Sequence, residues 1–301
     1  MTMDFIQVDQ GKCSRCGICA AICPGVIGMG DNGPQAIRNL CVSCGQCVAV
    51  CPEGALDNTN APLVHQAPLG QNTAPDGAAV AQFLRSRRSI RSYRQKAVPR
   101  DKIRQLLDIA RMAPTACNSQ GVAYHVVDQP DTLRQIAAAV IDWTERELNS
   151  SPAMAEAKYA PHLAMMVEQY RKEGQEVVLR SAPCLIVACA DQSSFAVGRD
   201  NTYLSFSYLQ LYATSIGLGT CWAGLFEYCA ATGYGPLLSL LNLPKNMQVT
   251  SGMMVGYPQY AYHRLVDRNP LQVTWSTTRK HCEQYKSAEG SYYVHQTTAG
   301  D

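Results

Sequence analysis

Residues 13–24 read Cys13-Ser14-Arg15-Cys16-Gly17-Ile18-Cys19-Ala20-Ala21-Ile22-Cys23-Pro24, and residues 41–52 read Cys41-Val42-Ser43-Cys44-Gly45-Gln46-Cys47-Val48-Ala49-Val50-Cys51-Pro52. A shift of 28 residues superimposes the two runs with seven of twelve positions identical, so the segment is an internal repeat. Two-residue gaps let three thiolates of one tight loop converge on three corners of an iron-sulfur cube, while the fourth cysteine, beside proline, points toward a second cube. Electron transfer is the chemistry this predicts. Zinc sites use Cys-x-x-Cys pairs without the third cysteine and the Cys-Pro. A disulfide scaffold belongs to secreted chains, and Met1-Thr2-Met3-Asp4-Phe5 opens without a basic region followed by an apolar stretch.

Over roughly residues 3 to 57 the segment resembles the bacterial ferredoxin module that carries two 4Fe-4S clusters. The resemblance implies crossed ligation, with one cluster on Cys13, Cys16, Cys19 and Cys51 and the other on Cys41, Cys44, Cys47 and Cys23. Small residues between the ligands, Gly17, Ala20, Ala21, Gly45 and Ala49, let backbone amides approach the cluster sulfurs and help set the potential. A module this short buries little, so without iron it is expected to unfold.

The 301 residues leave room for about two domains, and 47% hydrophobic composition suffices for a sizeable core. A net charge of +2 offers no footprint for nucleic acid, and no apolar run reaches the ~20 residues that cross a bilayer. The expected location is the cytoplasm. Six further cysteines, Cys117, Cys184, Cys189, Cys221, Cys229 and Cys282, lie without ligand spacing and read as buried core residues.

Past residue 57 the composition turns to Pro, Asn and Gly, which predicts a linker over 58–77 between a ferredoxin-type domain at 1–57 and a second domain at 78–301. A short helix with Val80, Phe83 and Leu84 on its apolar face runs into Arg85-Ser86-Arg87-Arg88-Ser89-Ile90-Arg91. Four arginines beside serine hydroxyls supply the forked, charged hydrogen bonds that a phosphate needs. Residues 101–112 carry helical apolar spacing and end at Pro114. A polar loop, 113–121, then opens a strand at 124–127. Helices are expected over 131–148 and 154–173, the second interrupted at Pro161, and buried strands at 184–189 and 249–256. Residues 200–216 are apolar on most sides and predict a buried helix, shared with a partner subunit. Residues 217–225 read as a glycine-rich turn, and the tail beyond Glu283 as polar and extended.

Taken in order, Arg87-Arg88-Ser89-x-Arg91, Ala113-Pro114-x5-Gln120, Gly217-Leu218-Gly219-Thr220 and Gly256-Tyr257-Pro258 with a later Arg264 resemble the FMN-dependent nitroreductase family over roughly residues 80 to 275. The resemblance implies an α+β fold, a mixed sheet flanked by helices, built as a homodimer with FMN at the subunit interface. It implies FMN contacts from Arg87, Arg88, Ser89, Arg91 and Arg264, from Pro114, Thr115 and Asn118 along the ring and ribityl chain, and from a backbone amide at Ala223-Gly224 to flavin N5. The deiodinase branch of that family holds its substrate with Glu-x3-Tyr, whereas here Tyr159 follows Glu156 at a different spacing. No catalytic acid stands out. Tyr159, His162 and Tyr170 fall in the expected lid and read as packing.

Together the two resemblances imply an oxidoreductase that receives electrons from a ferredoxin-type donor, carries them through two clusters to FMN, and delivers them to a small organic acceptor such as a nitroaromatic, quinone or enone. No Gly-x-Gly-x-x-Gly nucleotide fingerprint is present, although NAD(P)H can reach the flavin face in this family. The alternative is an electron carrier or redox sensor that serves a protein partner.

Overall fold

The computed structural model describes residues 4–70 and 75–276, so the expected tail and Cys282 lie outside the described residues. The N-terminal module is built from β1 (Ile6–Val8), α1 (Ile18–Ile22), the hairpin β2 (Ile27–Gly30) and β3 (Gly33–Ala36), α2 (Gln46–Ala49), and β4 (Leu56–Asn58), which pairs antiparallel with β1. Gly17 and Gly45, equivalent in the repeat, open α1 and α2 at φ 78° and 71°, a left-handed backbone that a side chain resists. The core is thin. Cys19, Ile27, Cys47, Val48 and Leu56 make up its buried centre, so two of the eight repeat cysteines are themselves core residues.

The expected boundary at 57/58 cuts through β4, and part of the expected linker is folded onto the module. Asn58 is buried, the Leu63 amide donates to Asp57 Oδ1 at 2.8 Å, and residues Leu63–His65 form a 3-10 turn. Composition identifies polar residues there, but not that their amides are used inside the module.

The second domain begins with α3 (Gly77–Ser86), capped by Asp76. It continues through α4 (Arg100–Ala110), β5 (Ala123–Val127), α5 (Pro130–Ser150), α6 (Pro152–Ala155), α7 (Ala160–Glu173), β6 (Cys184–Asp191), α8 (Phe195–Ser215), β7 (Gly219–Trp222), α9 (Gly224–Ala231), α10 (Gly235–Leu241) and β8 (Met247–Gly256). Pro161 falls in the first turn of α7, where its missing N–H costs nothing, and so starts that helix. Gly219–Trp222 is a strand and not the expected turn, because its backbone pairs with the end of β8.

The sheet runs β5-β6-β8-β7 with antiparallel neighbours, and Ser89 adds a parallel bridge to Thr220 on β7. Alternation along β6 divides the core. Leu185, Val187 and Cys189 face a layer with α5, α7, α9 and α10, and Cys184, Ile186 and Ala188 face one with α4 and α8. The α8 helix buries Phe206, Leu209 and Ala213, yet leaves Leu204 and Tyr208, one turn apart, more than 40% exposed. The expectation of a helix buried on most sides is therefore met on one face only.

Two glycines determine how the arginine stretch meets this sheet. A Cβ on Gly219 would lie 2.9 Å from Ile90 Cβ and 3.0 Å from Pro258, and one on Gly256 would lie 2.7 Å from the Tyr93 ring. We expect Gly219→Ala to lower the unfolding free energy by about 1–3 kcal/mol through overpacking. The measurement is the denaturant midpoint at unchanged slope, and parental stability would contradict this packing.

Candidate functional site

The chain leaves α3 at Ser86 and runs along β7, where the Ile90 amide donates to the Thr220 carbonyl at 2.9 Å and Tyr93 bridges to Pro258. Three of the expected motifs, 87–91, 217–220 and 256–258, thus meet at one sheet edge. Burial first, then the charges of Arg268 and Arg88, pull the Arg87 guanidinium below its ordinary value. Burial pushes the neighbouring Cys221 thiol up, against Arg91, Arg180, a hydrogen bond with Ser89, and Arg87. Arg88 stacks over the Tyr262 ring at 5.4 Å. Among the described residues no carboxylate forms an ion pair with Arg87, Arg88, Arg91, Arg180, Arg264 or Arg268. A cavity of about 680 Å³ opens on Arg87, Arg88, Leu265 and Arg268. The Tyr93 hydroxyl is buried without a hydrogen-bond partner, near enough to Cys221 and Arg91 for their charges to act on it. Clustered unpaired cations beside an orphaned hydroxyl fit an anionic group such as the phosphate of FMN.

Three expected contacts sit elsewhere. Arg264 and Arg268 are both exposed, and it is Arg268 whose charge acts on Arg87; the chain past Pro258 has no regular structure, so motif spacing does not dictate which arginine returns. The Ala223 amide is spent on the Gly252 carbonyl at 2.9 Å, which leaves the exposed Gly224 amide, at the start of α9, as the available donor. Asn118 reaches away from the arginines. Its Nδ2 donates to the Val42 and Ser43 carbonyls at 3.0 Å each, across to the N-terminal module. Pro114 is exposed, and Thr115 Oγ1 accepts the Gln120 amide at 3.1 Å. This loop is pinned to α8, since Asn201 accepts from the Ala116 amide at 3.0 Å and donates to Ser119 Oγ at 3.2 Å.

In the module, Cys13, Cys16, Cys19 and Cys51 line one cavity. Burial, and more weakly Cys51 and Cys16, push the Cys19 thiol up against the pull of nearby amides. Cys23 sits instead with the second run: burial first, then Cys47, Cys44 and Cys41, raise its thiol. Cys51 thus lies with the first run and Cys23 within electrostatic reach of the second. Among the described residues no three His, Cys, Asp or Glu side chains close on a single ion. Raised thiols mean that iron must displace protons as it binds.

The nitroreductase family model matches residues 84–257, more than half of the sequence. The chain belongs to the nitroreductase family. A 4Fe-4S dicluster domain matches residues 12–56. A protein named NADH dehydrogenase from Thermus thermophilus is 28% identical over 191 residues, covering 60% of this chain and 88% of its own. An iodotyrosine deiodinase from Nematostella vectensis is 24% identical over 65% of this chain and 74% of its own. A solved nitroreductase with bound FMN from Desulfitobacterium hafniense shares the fold at a TM-score of 0.53 and 16% identity, over 65% of this chain and 97% of that one. The chain is thus an FMN-dependent oxidoreductase with a ferredoxin-type domain ahead of its catalytic domain. Arg180 and Arg268, near the arginine stretch, and Asn58, against the cysteines, lie outside the sequence motifs and reach these places only through tertiary contacts.

Replacing Arg87 by Gln removes charge from the cation cluster and leaves a shorter, still polar side chain. FMN should be held at least about tenfold more weakly, the loss expected for a charged hydrogen bond. Fluorescence titration of the flavin-stripped protein measures this, and unchanged affinity would place the phosphate elsewhere.

Proposed function

We propose that this chain passes electrons from a ferredoxin-type donor through two 4Fe-4S clusters to FMN, and from there to a small organic acceptor such as a nitroaromatic, quinone or enone. The observation that supports the reading is that Cys51 lies with Cys13, Cys16 and Cys19, and Cys23 with Cys41, Cys44 and Cys47, in a module hydrogen-bonded through Val42 and Ser43 to a loop of the catalytic domain. The clusters would be held by Cys13, Cys16, Cys19 and Cys51, and by Cys23, Cys41, Cys44 and Cys47. Arg87, Arg88, Ser89 and Arg91, joined by Arg180 and Arg268, would grip the FMN phosphate. Pro114 and Thr115 would edge the ring, and the Gly224 amide would donate to it. FMN supplies the exchange between single electrons and a pair. The chain's own part is to bind and orient it, to neutralise its phosphate, and to keep the Gly224 N–H aimed at the ring.

A homodimer suits the same reading. Leu204 and Tyr208 on α8 present an apolar face that a second copy would cover. Tyr159, which is 67% exposed, takes no part in the core. The relative named NADH dehydrogenase favours a second reading of the donor, in which NAD(P)H reduces the flavin directly and bypasses the clusters.

Anaerobic stopped-flow separates the two donors. Mixing with reduced two-cluster ferredoxin should bleach the clusters before the flavin, and Cys13→Ser should slow that flavin reduction. Flavin reduction by NADH in Cys13→Ser that is as fast as ferredoxin-driven reduction in the parent would overturn the cluster route.

A further inference from the structure

We propose that the two clusters are ordered. The one on Cys23, Cys41, Cys44 and Cys47 is the inner cluster, docked by Asn118 against the catalytic domain, and the one on Cys13, Cys16, Cys19 and Cys51 is the outer cluster that meets the donor. This rests on the function proposed above, in which clusters feed the flavin. Two independent observations carry it, and the internal repeat supplies a control for each.

The first is docking. Val42 and Ser43 lie between the ligands Cys41 and Cys44, and both of their carbonyls accept from Asn118 Nδ2 at 3.0 Å. Asn118 has φ 53°, a left-handed conformation that asparagine tolerates better than most residues, and its loop is fixed to α8 through Asn201. The equivalent of Ser43 in the first run is Arg15. Its guanidinium folds back onto the Asp31 and Gly30 carbonyls of its own module, at 2.6 and 2.9 Å. Among the described residues the Cys13–Cys16 loop makes no hydrogen bond to the second domain.

The second is polarity. Asn58 Nδ2, on a buried residue, donates to Cys41 Sγ at 3.6 Å and to Cys47 Sγ at 3.7 Å, and the Ser43 amide donates to Cys41 Sγ at 3.4 Å. The other quartet receives the Ala55 amide on Cys51 Sγ at 3.3 Å and backbone amides of Ala20 and Cys19 on the Cys19 thiol, so backbone donors serve both quartets, and among the described residues only the second has a side-chain donor, Asn58. Shifting Asn58 by the repeat length lands on Gly30, which has no side chain to offer. Donors on cluster sulfurs favour the extra negative charge of the reduced state and raise the potential. The inner cluster is then the more oxidising, and electrons run downhill toward the flavin. With the groups in place, two electrons from the donor would enter singly at the quartet of Cys13, Cys16, Cys19 and Cys51, pass singly to that of Cys23, Cys41, Cys44 and Cys47, and with two protons from solvent would reduce one FMN. Asn118 and Asn58 are positioning residues in this scheme, one setting distance and the other potential.

Two variants of the holoprotein test it. Asn118→Asp keeps shape and backbone preference but loses both donated bonds. Hydrogen exchange across residues 41–47 should rise about tenfold, the opening expected from two lost bonds. With reduced two-cluster ferredoxin, cluster bleaching should keep its rate while flavin reduction slows by a similar factor. Unchanged exchange together with unslowed flavin reduction would overturn the docking. Asn58→Ala, followed by electron paramagnetic resonance during redox titration, should lower the potential of the higher-potential cluster alone. A shift confined to the lower-potential cluster would overturn the order. If the clusters of the parent protein bleach and its flavin never follows, the functional reading fails, while exchange and titration still decide docking and order.

Discussion

The catalytic domain depends on bare backbone at two points. Without side chains at Gly219 and Gly256, the stretch from Ser89 to Tyr93 lies flush against β7 and the end of β8, and Ile90 and Tyr93 fill the space that Cβ atoms would take. That contact fixes where the chain leaves α3 and therefore where Arg87, Arg88 and Arg91 stand. Arg180 and Arg268 arrive from other parts of the chain and add charge to the same place. Clustered guanidinium groups repel one another, and although Asp267 lines the same cavity, among the described residues it forms no ion pair with them, so a bound anion would relieve that cost.

The N-terminal module meets a different constraint. It is too small to hold together on apolar burial alone, and its centre is made partly of cysteine. Crossing Cys23 and Cys51 between the two runs means that each iron-sulfur cube would tie both halves, so the groups that would carry electrons would also serve as the structural staple. Asn58 joins the two roles, closing β4 against β1 and bonding two of the sulfurs. The module in turn rests on the 113–121 loop, which α8 holds through Asn201, so strand, helix, loop and cluster ligands form one continuous path of packed groups.

Much of this was legible in the sequence, and the limits have physical causes. The cysteine runs announced their chemistry because cube geometry demands fixed spacing, and the strands expected at 184–189, a continuous apolar run, and at 249–256 lie within the observed 184–191 and 247–256. The Arg87–Arg91 stretch was readable because charge density is local. Spacing could not say that Arg268, and not Arg264, would act on Arg87, since an irregular chain after Pro258 sets that return. Gly219–Trp222 read as a turn because two glycines hide a strand whose partner is distant in sequence. Asn118 was placed at the flavin by its motif, and only the docked module shows its amide turned to Val42 and Ser43.

The proposed spatial order is donor, outer cluster, inner cluster, flavin, acceptor. The most direct test is anomalous diffraction at the iron edge from crystals of the FMN-loaded protein, which locates each cluster and the flavin in one experiment. The account predicts iron between Cys23, Cys41, Cys44 and Cys47 nearer to the flavin ring than iron between Cys13, Cys16, Cys19 and Cys51, with the phosphate against Arg87. Iron at the first quartet lying farther from every flavin than iron at the second would contradict it.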